Sequence, residues 1–289
     1  MFRRIPIAGI AILTALVMLP AVPVPGQQVP PASGARILLL PRRIVSGDRA
    51  TLAVLDMNGR LTPGVAVVFS NGDHLTTDAT GRAMFVAPLN AGTISANISG
   101  RAGKVYTTIL NPTDAAAATM EISTAPRVAS LSDRFELSGR GFCGDADANH
   151  VTVDGKTALV LASSPTTLVV LPPADLDAGE GLVELNCAKH DAQPFSVKFV
   201  ALSLEADSSP LTPGDHRTLT VRVRGTTSKI SLEARNLAPE IAELSGGNPA
   251  RVSSSGGNDN SAQFQLVGRQ QGTFLVSIHL APTQSAPRR

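Results

Sequence analysis

The chain has 289 residues, a formal net charge of +2, 43% hydrophobic residues and only 3% aromatic ones, with no Trp and a single Tyr, Tyr106. This length accommodates two or three domains of roughly 100 residues. A near-neutral chain without a long run of one charge excludes the clustered Lys and Arg that hold nucleic acid by its phosphates. The scarcity of rings leaves Val, Leu, Ile and Ala to fill the cores and makes carbohydrate stacking a poor fit.

At the N-terminus, Arg3 and Arg4 precede an apolar stretch, residues 5–22, followed by Pro23-Val24-Pro25-Gly26-Gln27. A positive end followed by an apolar run is the pattern of a secretory signal peptide. Val24 and Gly26 are small enough for the cleavage-site positions, so a signal peptide over residues 1–26 is expected, cut before Gln27. The alternative is an uncleaved anchor, because about 18 apolar residues approach the length of a membrane span. Pro6, Pro20, Pro23 and the Pro-rich linker at 27–35 favour cleavage. No other segment is apolar enough to cross a bilayer. The expected location is outside the cytoplasm: periplasm, cell surface or secreted.

Short strand-like runs then follow at residues 36–40, 50–55, 65–70, 82–87, 93–98 and 104–110, separated by turns such as Thr62-Pro63-Gly64 and Asp78-Ala79-Thr80-Gly81. Strands of this length with turn signals every 8–12 residues or so are the pattern of a β-sandwich. No sustained 3.6-residue period argues for a helix. Ser46-Gly47-Asp48-Arg49-Ala50-Thr51-Leu52-Ala53-Val54, then Pro63-Gly64-Val65-Ala66-Val67-Val68-Phe69, then Thr77-Asp78-Ala79-Thr80-Gly81-Arg82-Ala83-Met84-Phe85, together resemble bacterial Ig-like domains of the invasin and intimin kind. The resemblance covers residues 36–112 and implies an all-β unit serving as a stalk or adhesive module. Its matched positions are turns and core, so they speak to fold more than to activity.

Residues 113–123, with alanines at 115–118, read as a linker. Beyond it, Pro126 and Phe135-Glu136-Leu137-Ser138-Gly139-Arg140-Gly141-Phe142 resemble the opening of an IPT/TIG domain. The likeness continues through His150-Val151-Thr152-Val153-Asp154-Gly155-Lys156-Thr157-Ala158, residues 163–172 and residues 181–185. It assigns an Ig-like sandwich to residues 124–200. Gly139 and Gly141 allow a bend beside a strand, Asp154-Gly155 suits a tight hairpin turn, and Phe142 is expected in the core.

The only cysteines, Cys143 and Cys187, lie in this unit. An even pair in an exported chain reads as a disulfide, which by loop closure contributes on the order of 3–4 kcal/mol. A metal site is the alternative, but His150 and His190 lack metal-motif spacing from either Cys. The resembled family does not require these cysteines.

Residues 201–282 read as a third sandwich, with strands at 201–205, 216–224, 229–234, 263–267 and 273–280 and a long mobile loop at 245–260. Thr218, Thr220, Arg222 and Arg224 alternate with Leu219, Val221 and Val223, giving one wet and one buried face. Residues 283–289 read as a tail.

The fold class expected is therefore all-β, tandem immunoglobulin-like β-sandwiches after an N-terminal signal peptide. No serine sits in a nucleophile elbow and no phosphate loop occurs. His74, beside Asp73 and near Asp78, is the best single candidate for a catalytic base, weighed against a solvated loop histidine; His216 and His279 read as structural. Asp145, Asp147 and Asn149 have the alternate-oxygen spacing of a weak calcium loop but lack its glycine and terminal Glu, and a plain polar turn is the favoured reading. No cofactor, metal or catalytic residue is expected. The leading function is an exported, non-catalytic binding or scaffold protein with an extracytoplasmic protein or cell-surface partner and no nucleic acid. The alternatives are a spacer or stalk, a hydrolase on a β-sandwich and a carbohydrate-binding module.

Overall fold

The computed structural model describes residues 36–112, 119–188, 190–206 and 209–282. The expected signal peptide, the linker at 27–35, residues 113–118 and the tail at 283–289 lie outside the described residues. The first sandwich comprises β1 (Arg36–Leu39), β2 (Arg43–Val45), β3 (Arg49–Asp56), β4 (Ala66–Phe69), β5 (His74–Thr76), β6 (Arg82–Val86), β7 (Gly92–Ile98) and β8 (Lys104–Leu110). One sheet runs β1–β3–β6 and the other β2–β8–β7–β4–β5, with β2 parallel to β8 and all other pairs antiparallel. Leu52, Val54, Val67, Phe69, Ile98 and Ile109 fill the space between them.

The turn before β6 shows what its sequence motif is for. Asp78 accepts from the backbone N–H of Thr80 and Arg82, while buried Thr77 accepts from Val65 N–H and donates to Thr62 C=O. Gly81 has φ +77°, and a Cβ there would stand 2.5 Å from the Thr62 nitrogen. Only glycine meets both demands.

The second sandwich contains β9 (Glu121–Thr124), β10 (Val128–Ser130), β11 (Phe135–Arg140), β12 (Asn149–Val153), β13 (Lys156–Ser164), β14 (Thr167–Leu171), β15 (Gly179–Cys187), β16 (His190–Asp191) and β17 (Phe195–Glu205). Its sheets are β9–β11–β14–β13 and β10–β17–β15–β12–β13. β13 serves both, pairing first with β12 and then with β14 after a register shift between Val160 and Ala162. Such a bulge lets one strand turn the corner between two sheets. Phe142 is buried, as expected, and Asp154 and Gly155 both have positive φ, as a two-residue hairpin turn of this hand requires. Met120 and Ile122 join this core, so residues 120–123, read as the end of a linker, contribute structure instead.

The third sandwich begins without a break. β17 continues past residue 200 and pairs with β18 (His216–Arg224). β19 (Ser231–Asn236), β20 (Ala242–Leu244), β21 (Ala250–Ser253), β22 (Ser261–Gly268) and β23 (Val276–Leu280) complete it. Its sheets are β17–β18–β22–β20 and β21–β19–β23. The alternation expected along β18 holds, with Leu219, Val221 and Val223 buried.

Residues 245–260 are not a long loop. β21 pairs with β19 within that span, and buried Asn260 donates to the Thr226 and Ser228 carbonyls while accepting from Gly256 N–H. The Asn and Ser side chains that read as loop chemistry are spent on local backbone bonds.

In the first sandwich β8 flanks β7, and in the second β17 flanks β15. No described strand is hydrogen-bonded to the outer side of β23, although β10 lies close to it.

Candidate functional site

The most elaborate side-chain arrangements lie where one sandwich meets the next. At the first junction, Thr51 of β3 pairs with Ser163 of β13, so the two sheets share a hydrogen-bonded edge. Leu39, Ala53 and Leu55 of the first sandwich pack against Leu161, Ala162 and Val169 of the second. Each fully buried leucine contributes about 1.5–3 kcal/mol, against about 0–1 kcal/mol for an ion pair such as Arg42–Glu136 at the same junction, whose guanidinium is exposed and whose carboxylate is half-buried. Apolar contact therefore dominates, and polar contacts fix the register.

Arg82, the first residue of β6, is the central polar contact. Its side chain is 7% exposed; Nη1 donates to Asp147 Oδ1 at 2.8 Å and Nη2 to the Val160 carbonyl at 2.6 Å. Its Nε has no partner among the described residues. Thr51 Oγ1 donates to the Gly144 carbonyl at 2.9 Å and accepts from Ala146 N–H at 3.2 Å. The hydroxyls of Ser164 and Thr166 both donate to the Arg43 carbonyl at 2.9 Å. A Cβ on Gly144 would stand 2.1 Å from the Arg49 carbonyl oxygen, so the two backbones touch there. Burial pushes the Glu136 carboxyl above its ordinary range, with Arg42 and Arg43 opposing.

This arrangement absorbs the residues read as a weak calcium loop. Asp145 caps a short 3-10 turn (Ala146–Ala148) by accepting from Asp147 N–H. Asp147 faces Arg82. Asn149 donates to the carbonyls of Cys143 and Asp145 and to Ser163, and its oxygen accepts from Cys143 N–H. These bonds give all three side chains a structural role in the turn. Among the described residues no three His, Cys, Asp or Glu side chains gather to hold a metal. The Cys143–Cys187 disulfide is formed, with a Cα–Cα separation of 6.0 Å, and fastens the end of β15 to the segment leading into the junction.

The histidine readings divide. His74 is exposed on β5, and its expected acids point elsewhere: Asp73 accepts from Asn71, and Asp78 holds its own turn. His216 is exposed at the start of β18. His279 of β23 reaches back to the second sandwich, its Nδ1 2.9 Å from Asp133 Oδ2. Burial pushes the Asp133 carboxyl up, but the hydrogen bond and charge of His279, with Arg134, outweigh it and hold the group below its ordinary range. At this second junction Val128 packs against the third core, and Gly225, at φ +94°, lies where a Cβ would meet the Phe199 carbonyl at 2.5 Å.

At the opposite end of the third sandwich lies an open cavity of about 470 Å³, lined by Pro210, Leu211, Thr212, Arg217, Gly272 and Phe274 among others. Neither junction, nor this cavity, was anticipated from sequence. Along β6, Ala83 and Phe85 turn inward and Met84 and Val86 outward, so alternation places Arg82 on the outward side and gives no local signal of its burial.

No protein-family model matches the chain, and no curated protein matches it. Among solved structures it is similar to the mixed-linkage glucan utilization locus protein SGBP-B of Bacteroides ovatus in complex with a mixed-linkage heptasaccharide, at 13% identity over 82% of this chain and 73% of that one, with a TM-score of 0.30. It is also similar to the full extracellular region of plexin A4, at 12% identity over 87% of this chain and 33% of that one, TM-score 0.33. The N-terminal four Ig domains of Dscam1 isoform 9.44 match at 11% identity over 83% of this chain and 73% of that one, TM-score 0.26. At such scores these likenesses carry no argument about function, and the Ig-like reading rests on the strand order and pairing above.

Proposed function

We propose that this is an exported, non-catalytic scaffold that presents a set of Ig-like surfaces to an extracytoplasmic protein or cell-surface partner. The observation that carries this reading is the pair of junctions: buried Arg82 and the shared strand β17 join successive sandwiches by side chains and backbone rather than by slack linkers. A scaffold gains from such joints because surfaces held in register engage a partner without the ordering cost of a flexible string. The disulfide supports export, since such bonds persist in oxidising compartments. Within this reading the first sandwich is of the invasin and intimin type and the second of the IPT/TIG type, on the turn glycines and core residues named above, and residues 1–26 are the signal peptide.

A spacer or stalk is the second reading. It is favoured by the same junctions and by the replacement of the expected loop at 245–260 by β21 and its bonded turns. The two separate on one experiment. In cells expressing the full chain, photoreactive residues are placed one at a time on exposed positions of each sandwich, and the cells are fractionated after irradiation. A scaffold gives discrete adducts with another protein, outside the cytoplasm and from a confined set of positions. A spacer gives none from any sandwich, and a reduced cytosolic chain overturns both readings.

A further inference from the structure

We propose that the outer edge of β23 is a docking site for an extended strand of a partner polypeptide, which adds antiparallel to β23 and sets alternate apolar side chains over the open flank of the third core. This rests on the scaffold reading and names the class of partner.

The topology comes first. β7 and β15 occupy the place of β23 in their own sandwiches, and each has an antiparallel neighbour on its outer side, β8 and β17 respectively. β23 pairs only with β19 among the described strands. The bonds from Leu237 N–H to the Leu275 carbonyl and from Ala281 N–H to the Ser231 carbonyl set the alternation. Residues 275, 277, 279 and 281 face β19, so the N–H and C=O groups of Val276, Ile278 and Leu280 point outward. None of these has a hydrogen-bond partner among the described residues.

Burial agrees. Along β15 the inward residues Val183, Leu185 and Cys187 are fully covered. Along β23 the equivalent Val276, Ile278 and Leu280 pack on the third core yet stay half-buried. The facing edge is open as well. Leu202 and Leu204 of β17 lie opposite Val223 and Val221 of β18, both buried core residues. Register therefore turns Leu204 toward the core layer, but it remains 51% exposed. The His279–Asp133 contact places β23 on the β17 side of the sandwich, so these two rims border one gap, closed at the end nearest the second sandwich by β10, whose Val128 packs on the third core. The cavity beside Phe274 and Leu211 lies at its far end.

Edge strands are normally blunted by Pro, Lys or a bulge. Val276-Ser277-Ile278-His279-Leu280 carries none of these, and it has the high β propensity that suits strand addition. The occupant must carry apolar residues at alternate positions, as Phe195, Val197 and Phe199 do on β17. The chain's own residues 281–289, Ala-Pro-Thr-Gln-Ser-Ala-Pro-Arg-Arg, lack them, and their prolines donate no hydrogen bond. A second copy's β23 would satisfy the backbone but would leave Leu204 open, because its own apolar side chains are already turned to its own core.

The probe is a synthetic peptide with the β17 sequence Phe-Ser-Val-Lys-Phe-Val-Ala, titrated into the full oxidised chain by fluorescence anisotropy, with amide hydrogen exchange read on β23. The expected result is saturable binding that protects the amides of Val276, Ile278 and Leu280. Binding should weaken at least tenfold when the peptide is N-methylated on one edge but not on the other. It should weaken similarly with Leu204→Asp, an exposed position where the free protein keeps its fold by circular dichroism. No saturable binding, or binding indifferent to N-methylation, overturns the proposal. So does protection of those amides in the free chain, whether it is lost on dilution of a dimer (a second copy) or on removal of residues 283–289 (the chain's own tail). Each of these outcomes leaves the cellular cross-linking result standing on its own, so the scaffold reading and the strand site fail separately.

Discussion

Arg82 of the first sandwich and Asp147 of the second meet at 2.8 Å across a boundary that 65 residues of sequence separate. The pair is unequal: the arginine side chain is 7% exposed and the carboxylate 69%. Removing Asp147 strands a buried cation, whereas replacing Arg82 by an apolar chain of similar volume removes the charge altogether. Asp147→Ala is therefore expected to destabilise the chain by about 1–3 kcal/mol, and Arg82→Met by less. Urea midpoints of the two variants give the comparison, and the reverse order would assign the junction's strength to charge rather than to packing.

Gly139 passes so close to Glu121 that a Cβ would stand 2.0 Å from its carbonyl oxygen. Gly139→Ala must push β9 off β11, at a cost of about 1–3 kcal/mol or more. Gly155→Ala, at φ +76° but facing open space, meets only backbone strain of about 1 kcal/mol. Thermal melts of the two variants should rank in that order.

Acid stability carries two opposed contributions. Asp133 is held below its ordinary range on folding, so it stabilises the fold above its unfolded value of about 3.9 and that stability is lost as pH falls through the lower folded value. Glu136 is raised on folding, so its contribution is present below its unfolded value of about 4.3 and is lost as pH rises through the folded one. Asp133→Asn should flatten the decline in melting temperature below about pH 4. Glu136→Gln should raise the melting temperature near neutrality and leave it unchanged in acid. Melting curves from pH 2.5 to 7.5 or so test both signs.

The features legible in the sequence are those whose cause is local. Thr77, Gly81, Gly139, Phe142 and the Asp154-Gly155 turn act within a hairpin or on the adjoining strand, so a motif of nearby residues announces them. The alternation of β18 was legible for the same reason. Arg82 and Asp147, or His279 and Asp133, declare nothing locally, because each becomes meaningful only when a distant sandwich arrives opposite it. The run at 245–260 misled in the other direction: its Asn, Ser and Gly residues have loop composition, yet β21 and the side-chain bonds of Asn236, Asn248 and Asn260 give it fixed structure.

The Cys143–Cys187 bond closes a separation of 44 residues. Reducing it, or changing both cysteines to Ser, should lower stability by roughly 3–4 kcal/mol on the chain-entropy estimate. Denaturant curves with and without reductant check this, and a wild type indifferent to reductant would remove the disulfide from the list of what holds the second sandwich.

The most direct test of the fused architecture is differential scanning calorimetry of the full oxidised chain. If Arg82, the apolar cluster that includes Leu39 and Leu161, and the shared strand β17 couple the sandwiches, the described residues unfold in one transition whose calorimetric and van't Hoff enthalpies agree. Several independent transitions, each with the enthalpy of a single sandwich, would mean three loosely strung beads and would contradict the fixed presentation on which the proposed function depends.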